Sequence, residues 1–341
     1  MKSIVIRKPF LAVTEDVPVP RLGKGEALLK MLFGGVCGSD LATYRGVSAY
    51  VSYPRTIGHE FAAEVVEVEA NNRGIRPGMV VTGNPYFNCG TCYSCRRGYV
   101  NACVHNETMG VQREGAFSEY FTMPIERLFD GDGIEPRALA LVEPFCISRH
   151  AVYRTDIKPG DRVLVVGSGA IGILAAVTAR NRGAEVYITD IAADKLTLAV
   201  REFGLAGSFV NDGPDALAGF MEKVTGGDGF DVTVEAVGAP STFLDCVHSV
   251  ASRGQMIVIG VAKHNVDFNY LDIQRKELNI FGSRGATNAD FKAVLELVRG
   301  DVTLTKLISR IYPISDAAGA FKDMDQHSAQ IVKAEFDFTG N

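Results

Sequence analysis

No apolar run in this 341-residue chain approaches the roughly 18 residues needed to cross a bilayer, so the sequence predicts no membrane span. An excess of positive charge is missing too: 35 Lys and Arg stand against 40 Asp and Glu, and the charges are dispersed. The net charge of -5 offers no electrostatic footprint for nucleic acid or an anionic membrane. Internal repeats and low-complexity tracts are absent. Met1-Lys2 opens without a charged-then-apolar leader, from which we expect a reducing cytoplasm rather than secretion. What remains is an ordinary composition, 47% hydrophobic and 22% charged, long enough for about two domains with a full core.

Cysteine is scarce as well, and unevenly placed. Of the seven, four fall in Cys89-Gly-Thr-Cys92-Tyr-Ser-Cys95-Arg-Arg-Gly-Tyr-Val-Asn-Ala-Cys103, a C-x2-C-x2-C-x7-C spacing that follows no helix or strand period. Short Cys-x2-Cys steps let one loop bend around an ion that wants four soft or borderline ligands at the corners of a tetrahedron. Cys89, Cys92, Cys95 and Cys103 are therefore expected to form a closed structural zinc site. Gly90 and Gly98 supply the backbone freedom of such a loop. Two disulfides are the alternative, and the expected reducing compartment argues against them. A nucleic-acid-binding zinc ribbon fits poorly, because Arg96 and Arg97 are an isolated basic pair in an acidic chain.

The texture of the chain changes twice. Residues 1–143 are rich in Gly, Pro and short alternating runs, such as 26–33 and 61–68, which predict an antiparallel, barrel-like domain with few helices. From 144 to 283, apolar runs at 163–166, 185–189, 232–234 and 256–259 are separated by helical spacings. That alternation is the signature of a doubly wound parallel sheet, giving an α/β fold class overall. Residues 284–341 carry a helical run at 291–298 and a strand-like 333–338, and are expected to fold back onto the first domain.

At the start of the predicted sheet stands Val163-Leu-Val-Val-Gly167-Ser-Gly169-Ala170-Ile171-Gly172, a buried strand running straight into a helix with Ile171, Leu174, Ala175 and Thr178 on its apolar face. Gly167 makes the tight turn, Gly169 lets a pyrophosphate approach the backbone at the helix N-terminus, and Gly172 lets helix and strand pack closely. A second strand ends at Asp190, 18 residues after Gly172. A carboxylate there suits the ribose hydroxyls of NAD and repels the 2′-phosphate of NADP. Its other role, helix capping, is compatible with this one.

A looser constellation lies between these two signals. Gly35-Val-Cys37-Gly-Ser39-Asp40 and Gly58-His59-Glu60 each place a zinc-compatible ligand on a glycine-flanked loop, and Glu143-Pro144 adds a carboxylate at the domain boundary. Alone, a Cys is ordinarily core and a His ordinarily a hydrogen-bonding residue. Beside a cofactor domain and a zinc loop, Cys37, His59, Glu60 and Glu143 read as an open catalytic zinc site with three protein ligands and one exchangeable position.

Taken in order, G-x-C-x-x-D, G-H-E, the four-cysteine loop, E-P and G-x-G-x-x-G cover essentially the whole chain, and the series resembles the zinc-dependent medium-chain dehydrogenases with their GroES-like catalytic domain and Rossmann cofactor domain. Ile57-Gly-His-Glu60, Glu143-Pro-Phe145 in place of a cysteine ligand, and Phe281-Gly-Ser-Arg284 with Asn288 are most similar to the sorbitol dehydrogenase branch and its bacterial L-galactonate and L-gulonate 5-dehydrogenase relatives.

The resemblance implies domains at 1–143 plus 284–341 and at 144–283. It implies two zinc ions per chain, the catalytic one on Cys37, His59 and either Glu60 or Glu143, which share the roles of ligand and base. The bound alcohol is acidified by the metal, NAD⁺ on the 167–172 turn accepts hydride, and Ser39 relays the proton. Arg284 matches a substrate-binding Arg, and Arg113 is a second guanidinium candidate for a sugar-acid carboxylate. A homodimer or homotetramer pairing through the sheet edge near 278–281 is implied as well. A neutral polyol as substrate, or a catalytically silent regulatory relative, are the alternatives. One departure stands out: relatives carry a relay His two residues after the Asp, where this chain has Ala42. Beyond Ser39 the proton is then expected to pass through the nicotinamide ribose and water.

Overall fold

The computed structural model describes residues 1–262 and 264–340, and their packing divides the chain into two units, Met1–Cys146 with Gly285–Asn341, and Ile147–Arg284. In the first unit, a mainly antiparallel seven-stranded sheet runs in the order Leu128–Asp130, Val80–Gly83, Glu60–Val68, Glu26–Val36, Lys333–Asp337, Ile308–Pro313, with Tyr120–Pro124 also paired to Glu26–Val36. The fold-back of the C-terminal segment is thus a strand insertion, Lys333–Asp337 lying antiparallel to Glu26–Val36. A three-stranded sheet (Leu11–Asp16, Lys2–Lys8, Arg55–Thr56) and a two-stranded ribbon (Tyr86–Phe87 with Glu107–Thr108) complete the strands.

Alternation drives this sheet. Ala27, Leu29 and Met31 are fully buried while Lys30 faces water, and the inward faces converge on Phe61, Phe117, Phe321 and Phe336, all 0% exposed. Each such ring contributes about 1.5–3 kcal/mol by leaving water. Phe117 and Phe336 meet edge to face, with centroids 5.6 Å apart. The central strand extends past the apolar run at 26–33 through Gly34 and Gly35. A Cβ on Gly34 would stand 2.5 Å from the Phe117 ring, so the glycine that breaks the apolar pattern is what admits the aromatic core.

The second unit holds a six-stranded sheet in the order Gly207–Val210, Glu185–Asp190, Arg162–Val166, Phe230–Glu235, Val250–Val258, Asn279–Gly282, every neighbouring pair parallel. In this doubly wound arrangement the chain order reverses between Arg162–Val166 and Phe230–Glu235, and ligands bind at the carboxyl ends of the strands at such a switch point. The helix Ala170–Asn181 is buried from Gly172 to Ala179 all round, including Ile173 and Val177, where the sequence predicts a single apolar face. It is a central helix rather than a surface one. Gly207–Val210 escapes a sequence reading because it is four residues long, begins with Gly and is half-buried. Among the described residues, no helix is long and apolar enough to cross a membrane.

Candidate active site

Cys37 lies just past the end of the strand Glu26–Val36 and caps the helix Gly38–Tyr44. Asp40, 1% exposed, accepts hydrogen bonds from the backbone N–H of Cys37 at 2.9 Å and of Gly58 at 3.4 Å, so one buried carboxylate ties together the loops that carry Cys37 and His59. This explains the G-x-C-x-x-D spacing as a capping arrangement as well as a ligand motif. Gly58 has φ +95°, and a Cβ on it would stand 2.1 Å from the Phe117 ring. Only glycine lets the chain turn there and present His59. Glu60 then opens the strand Glu60–Val68 in register with Gly35, whose missing side chain leaves the space that the Glu60 carboxylate fills, since a Cβ would come within 2.1 Å of it.

The result is a cluster of two buried side chains and the half-buried Cys37. The Cys37 sulfur, a His59 ring nitrogen and a Glu60 carboxylate oxygen all lie within 4.8 Å of one another, with His59 5% and Glu60 1% exposed. His59 Nδ1 is buried without a hydrogen-bond partner, as is Ser39 Oγ. Burial pushes the His59 pKa down, but the charge and hydrogen bond of Cys37, with Asp40 and Glu143, outweigh it and hold the pKa well above the ordinary value. A soft sulfur, an imidazole and a carboxylate that converge, with a ring nitrogen left buried and unpartnered, fit a divalent metal of the zinc type.

Glu143 stands apart from this triad. It is 2% exposed in the first turn of the helix Val142–Val152, and the Tyr86 phenol donates a hydrogen bond to its Oε1. Burial raises its pKa to about 7, with His59 pulling it down and Glu60 pushing it up. Of the two carboxylates expected to share the site, the structure gathers Glu60 with Cys37 and His59, and Glu143 acts on them through its field.

Three further residues surround the triad that the sequence alone does not reveal. Tyr86 is one. Lys333, 4% exposed, pairs with the Glu60 carboxylate and donates from Nζ to the Val36 carbonyl at 2.9 Å. Burial lowers its pKa, and the charges of Glu60 and Cys37 more than restore it. Glu335, 0% exposed, faces Gly35 across the strand pair with neither carboxylate oxygen hydrogen-bonded, and burial pushes it up to about 8. For Lys333 and Glu335 the available signal is the alternating charges Lys333, Glu335 and Asp337 in the otherwise apolar run 331–338, which on a strand share one face.

In the four-cysteine loop, the sulfurs of Cys89, Cys92, Cys95 and Cys103 also lie within 4.8 Å of one another, and all four are free thiols. Cys103 to Cys89 is 3.5 Å and Cys92 to Cys103 is 3.8 Å, too long for disulfides and suited to four corners around one ion. Backbone N–H groups of Cys89 and Cys92 point at the sulfurs of Cys103 and Cys89. Gly90 at φ +74° makes the turn between the first two.

In the second unit, Gly167 takes φ +112°, and a Cβ on Gly172 would fall 1.8 Å from the Gly167 carbonyl oxygen. Nothing lies within 4 Å of where a Gly169 Cβ would be, so the backbone is open to a ligand at the start of the helix that Ala170 and Ile171 begin. Asp190 ends its strand and accepts from the N–H of Ser168 at 2.6 Å and of Ala192 at 3.0 Å. It shapes the turn and keeps lone pairs for a diol. Lys195, in the following helix, is partly buried and feels its charge.

The two arginines differ. Arg113 pairs with Glu107 at 3.4 Å and stacks 4.0 Å from the Phe87 ring, which Arg127 also covers at 4.4 Å, so it braces the base of the cysteine loop. Arg284 is exposed beyond the strand Asn279–Gly282.

Known proteins with this organisation are numerous. The chain matches the family described as alcohol dehydrogenase GroES-like domain over residues 23–132 and that described as zinc-binding dehydrogenase over residues 170–300. It is 32% identical over 339 residues to the L-galactonate-5-dehydrogenase of Escherichia coli K12, covering 99% of each chain. To the sorbitol dehydrogenase of Halalkalibacterium halodurans it is 33% identical over 307 residues, 89% of each. Its fold superposes with TM-score 0.91 and 28% identity on a dehydrogenase described as zinc-binding, from Sinorhizobium meliloti 1021 and bound to NADP, covering 98% of both chains. A GroES-like unit and a Rossmann-like unit joined in one chain, with this identity along nearly its full length, place the protein in the zinc-type medium-chain dehydrogenase family.

Proposed function

We propose that this dehydrogenase oxidises a secondary alcohol, at C5 of a hexonic acid of the L-galactonate or L-gulonate kind, with NAD⁺ as hydride acceptor and two zinc ions per chain. The observation that carries the catalytic reading is the convergence of Cys37, His59 and Glu60 within 4.8 Å, with His59 and Glu60 buried. Zinc, when bound, supplies Lewis-acid polarisation of the alcohol oxygen, and the dinucleotide supplies the oxidising ring. The chain's own residues do the rest. Cys37 and His59 hold the metal, with Asp40 fixing the loops that carry them. Glu60 is held by Lys333, so its charge would be shared between that cation and a bound metal. Glu143, poised near neutrality and hydrogen-bonded to Tyr86, receives the hydroxyl proton at its carboxylate, and Ser39 offers a second acceptor. With Ala42 in place of a relay histidine, that carboxylate takes a larger share of the proton traffic.

Substrate class rests on the L-galactonate-5-dehydrogenase relative and on Arg284, whose fork suits a carboxylate. A neutral polyol is the second reading. The sorbitol dehydrogenase relative favours it, as does the acidic surround of Asp40, Glu60, Glu143 and Glu335 against Lys333. A panel of hexonates and polyols decides. Faster turnover of sorbitol or galactitol than of every hexonate replaces the first reading by the second, and no turnover on any leaves a silent relative. Asp190 leads us to expect kcat/KM for NAD⁺ more than about tenfold above NADP⁺, at least about 1.4 kcal/mol. Equal use of both sinks the cofactor assignment. We also infer a homodimer or homotetramer formed at the open edge of Asn279–Gly282, checked by light scattering. Seven free cysteines suit a cytoplasmic setting.

A further inference from the structure

Tyr86 stands between the two cysteine-bearing sites. Its strand, Tyr86–Phe87, pairs with Glu107–Thr108, so the ribbon closes the base of the loop that carries Cys89 to Cys103. Its N–H donates to Asn84 Oδ1 at 3.0 Å, and its carbonyl accepts from Arg127 Nη1. The guanidinium groups of Arg113 and Arg127 both lie over the Phe87 ring. A two-residue strand pair has no stability of its own, so its order comes from the loop it closes and from these contacts. Out of that ribbon the Tyr86 phenol reaches Glu143 Oε1.

We propose that Tyr86 is a positioning residue through which the four-cysteine loop sets the orientation of Glu143 beside Cys37, His59 and Glu60. The proposal rests on reading that triad as a catalytic metal centre. The terminal torsion of a glutamate is broad and roughly two-fold, so a buried carboxylate with one strong donor has its choice of oxygen decided by that donor. Outer partners of metal-site residues are worth about 10–100-fold in metal affinity or activity when removed. The loop therefore does more than brace the fold: its closure holds the tyrosine that aims a carboxylate at the reacting position.

The test uses the full chain loaded with cobalt(II), whose visible absorption reports its ligand field. Tyr86→Phe keeps the ring and removes the donor. We expect turnover to fall about 10–100-fold and the spectrum of the metal at Cys37 and His59 to change, while both metals are retained. Cys92→Ser should alter the spectrum of the Cys37 site in the same direction. In the double variant the two effects should not add, because both cut one line of contact. A Tyr86→Phe protein with unchanged turnover and spectrum overturns the proposal, as does full additivity. If Cys92→Ser does not fold, Tyr86→Phe decides alone. A wild type that takes up one cobalt per chain, at the loop only, removes the catalytic reading and the proposal with it. Failure of the Tyr86 contact alone leaves two bound.

Discussion

The two cysteine-bearing sites of the first unit are built in opposite ways. Cys89, Cys92, Cys95 and Cys103 come from one loop, three of them half-buried, and their gathering needs no register between distant strands. Cys37, His59 and Glu60 meet only because strand ends 24 residues apart, Val36 and Glu60, are brought side by side, and buried Asp40, Glu143 and Lys333 surround the buried His59 and Glu60 and the half-buried Cys37. A local chelate stabilises whatever loop it closes. An enclosed cluster depends on the sheet, on Gly35 and on Gly58, and in exchange gains a dry, charged setting in which one position can be reserved for substrate.

Cysteine substitution has the largest expected effect at both sites. Cys37→Ser should abolish turnover with the melting temperature near wild type, whereas Cys92→Ser should cost about 3 kcal/mol, a fall of roughly 6–12 °C by calorimetry in a unit of this size. A Cys37→Ser enzyme with near-normal rates, followed by reduced cofactor absorbance, would remove the catalytic assignment. The next effect is at Gly58. Alanine there meets both the positive φ and the Phe117 ring, so Gly58→Ala should destabilise by about 2–4 kcal/mol and lower metal content at the Cys37 site while sparing the loop. Denaturant melts within error of wild type would show that the turn before His59 is not constrained.

The smallest effect concerns the charge that enclosure carries. Glu335 is raised by burial from 4.5 to about 8, with Glu60 and Glu135 pushing the same way and Lys333 and Arg137 opposing. The folded state therefore holds a proton that the unfolded chain releases. The stabilising contribution is complete below about pH 4.5 and is lost as the pH rises through about 8. Glu335→Gln should accordingly leave stability unchanged near pH 4.5 and raise it by about 1–3 kcal/mol above pH 8. An equal shift in denaturation midpoint at both pH values contradicts this.

What the sequence shows follows the same division. The cysteine loop and the 167–172 turn are legible because their geometry is local: Cys-x2-Cys steps and spaced glycines mean nearly the same thing in any fold. The parallel sheet is legible from apolar runs with helical gaps, except for Gly207–Val210, whose side chains are only half-buried and leave no apolar run. Cys37, His59 and Glu60 were recognisable by resemblance, but their choice over Glu143 was not, because it depends on the pairing of Gly35 with Glu60. Lys333, Glu335 and Tyr86 were missed for a related reason. Their meaning comes from which strand lies next to theirs, and a buried lysine reads as a surface one until its partner is known.

We propose that the two separate ligand groups are two metal centres, one that holds structure and one that holds substrate. Elemental analysis of the wild type and of Cys37→Ser, with turnover measured on the same samples, tests it most directly. Two zinc ions per chain are expected in the active wild type and one in a folded, inactive Cys37→Ser. One zinc in a fully active wild type, or two retained in Cys37→Ser, would contradict it.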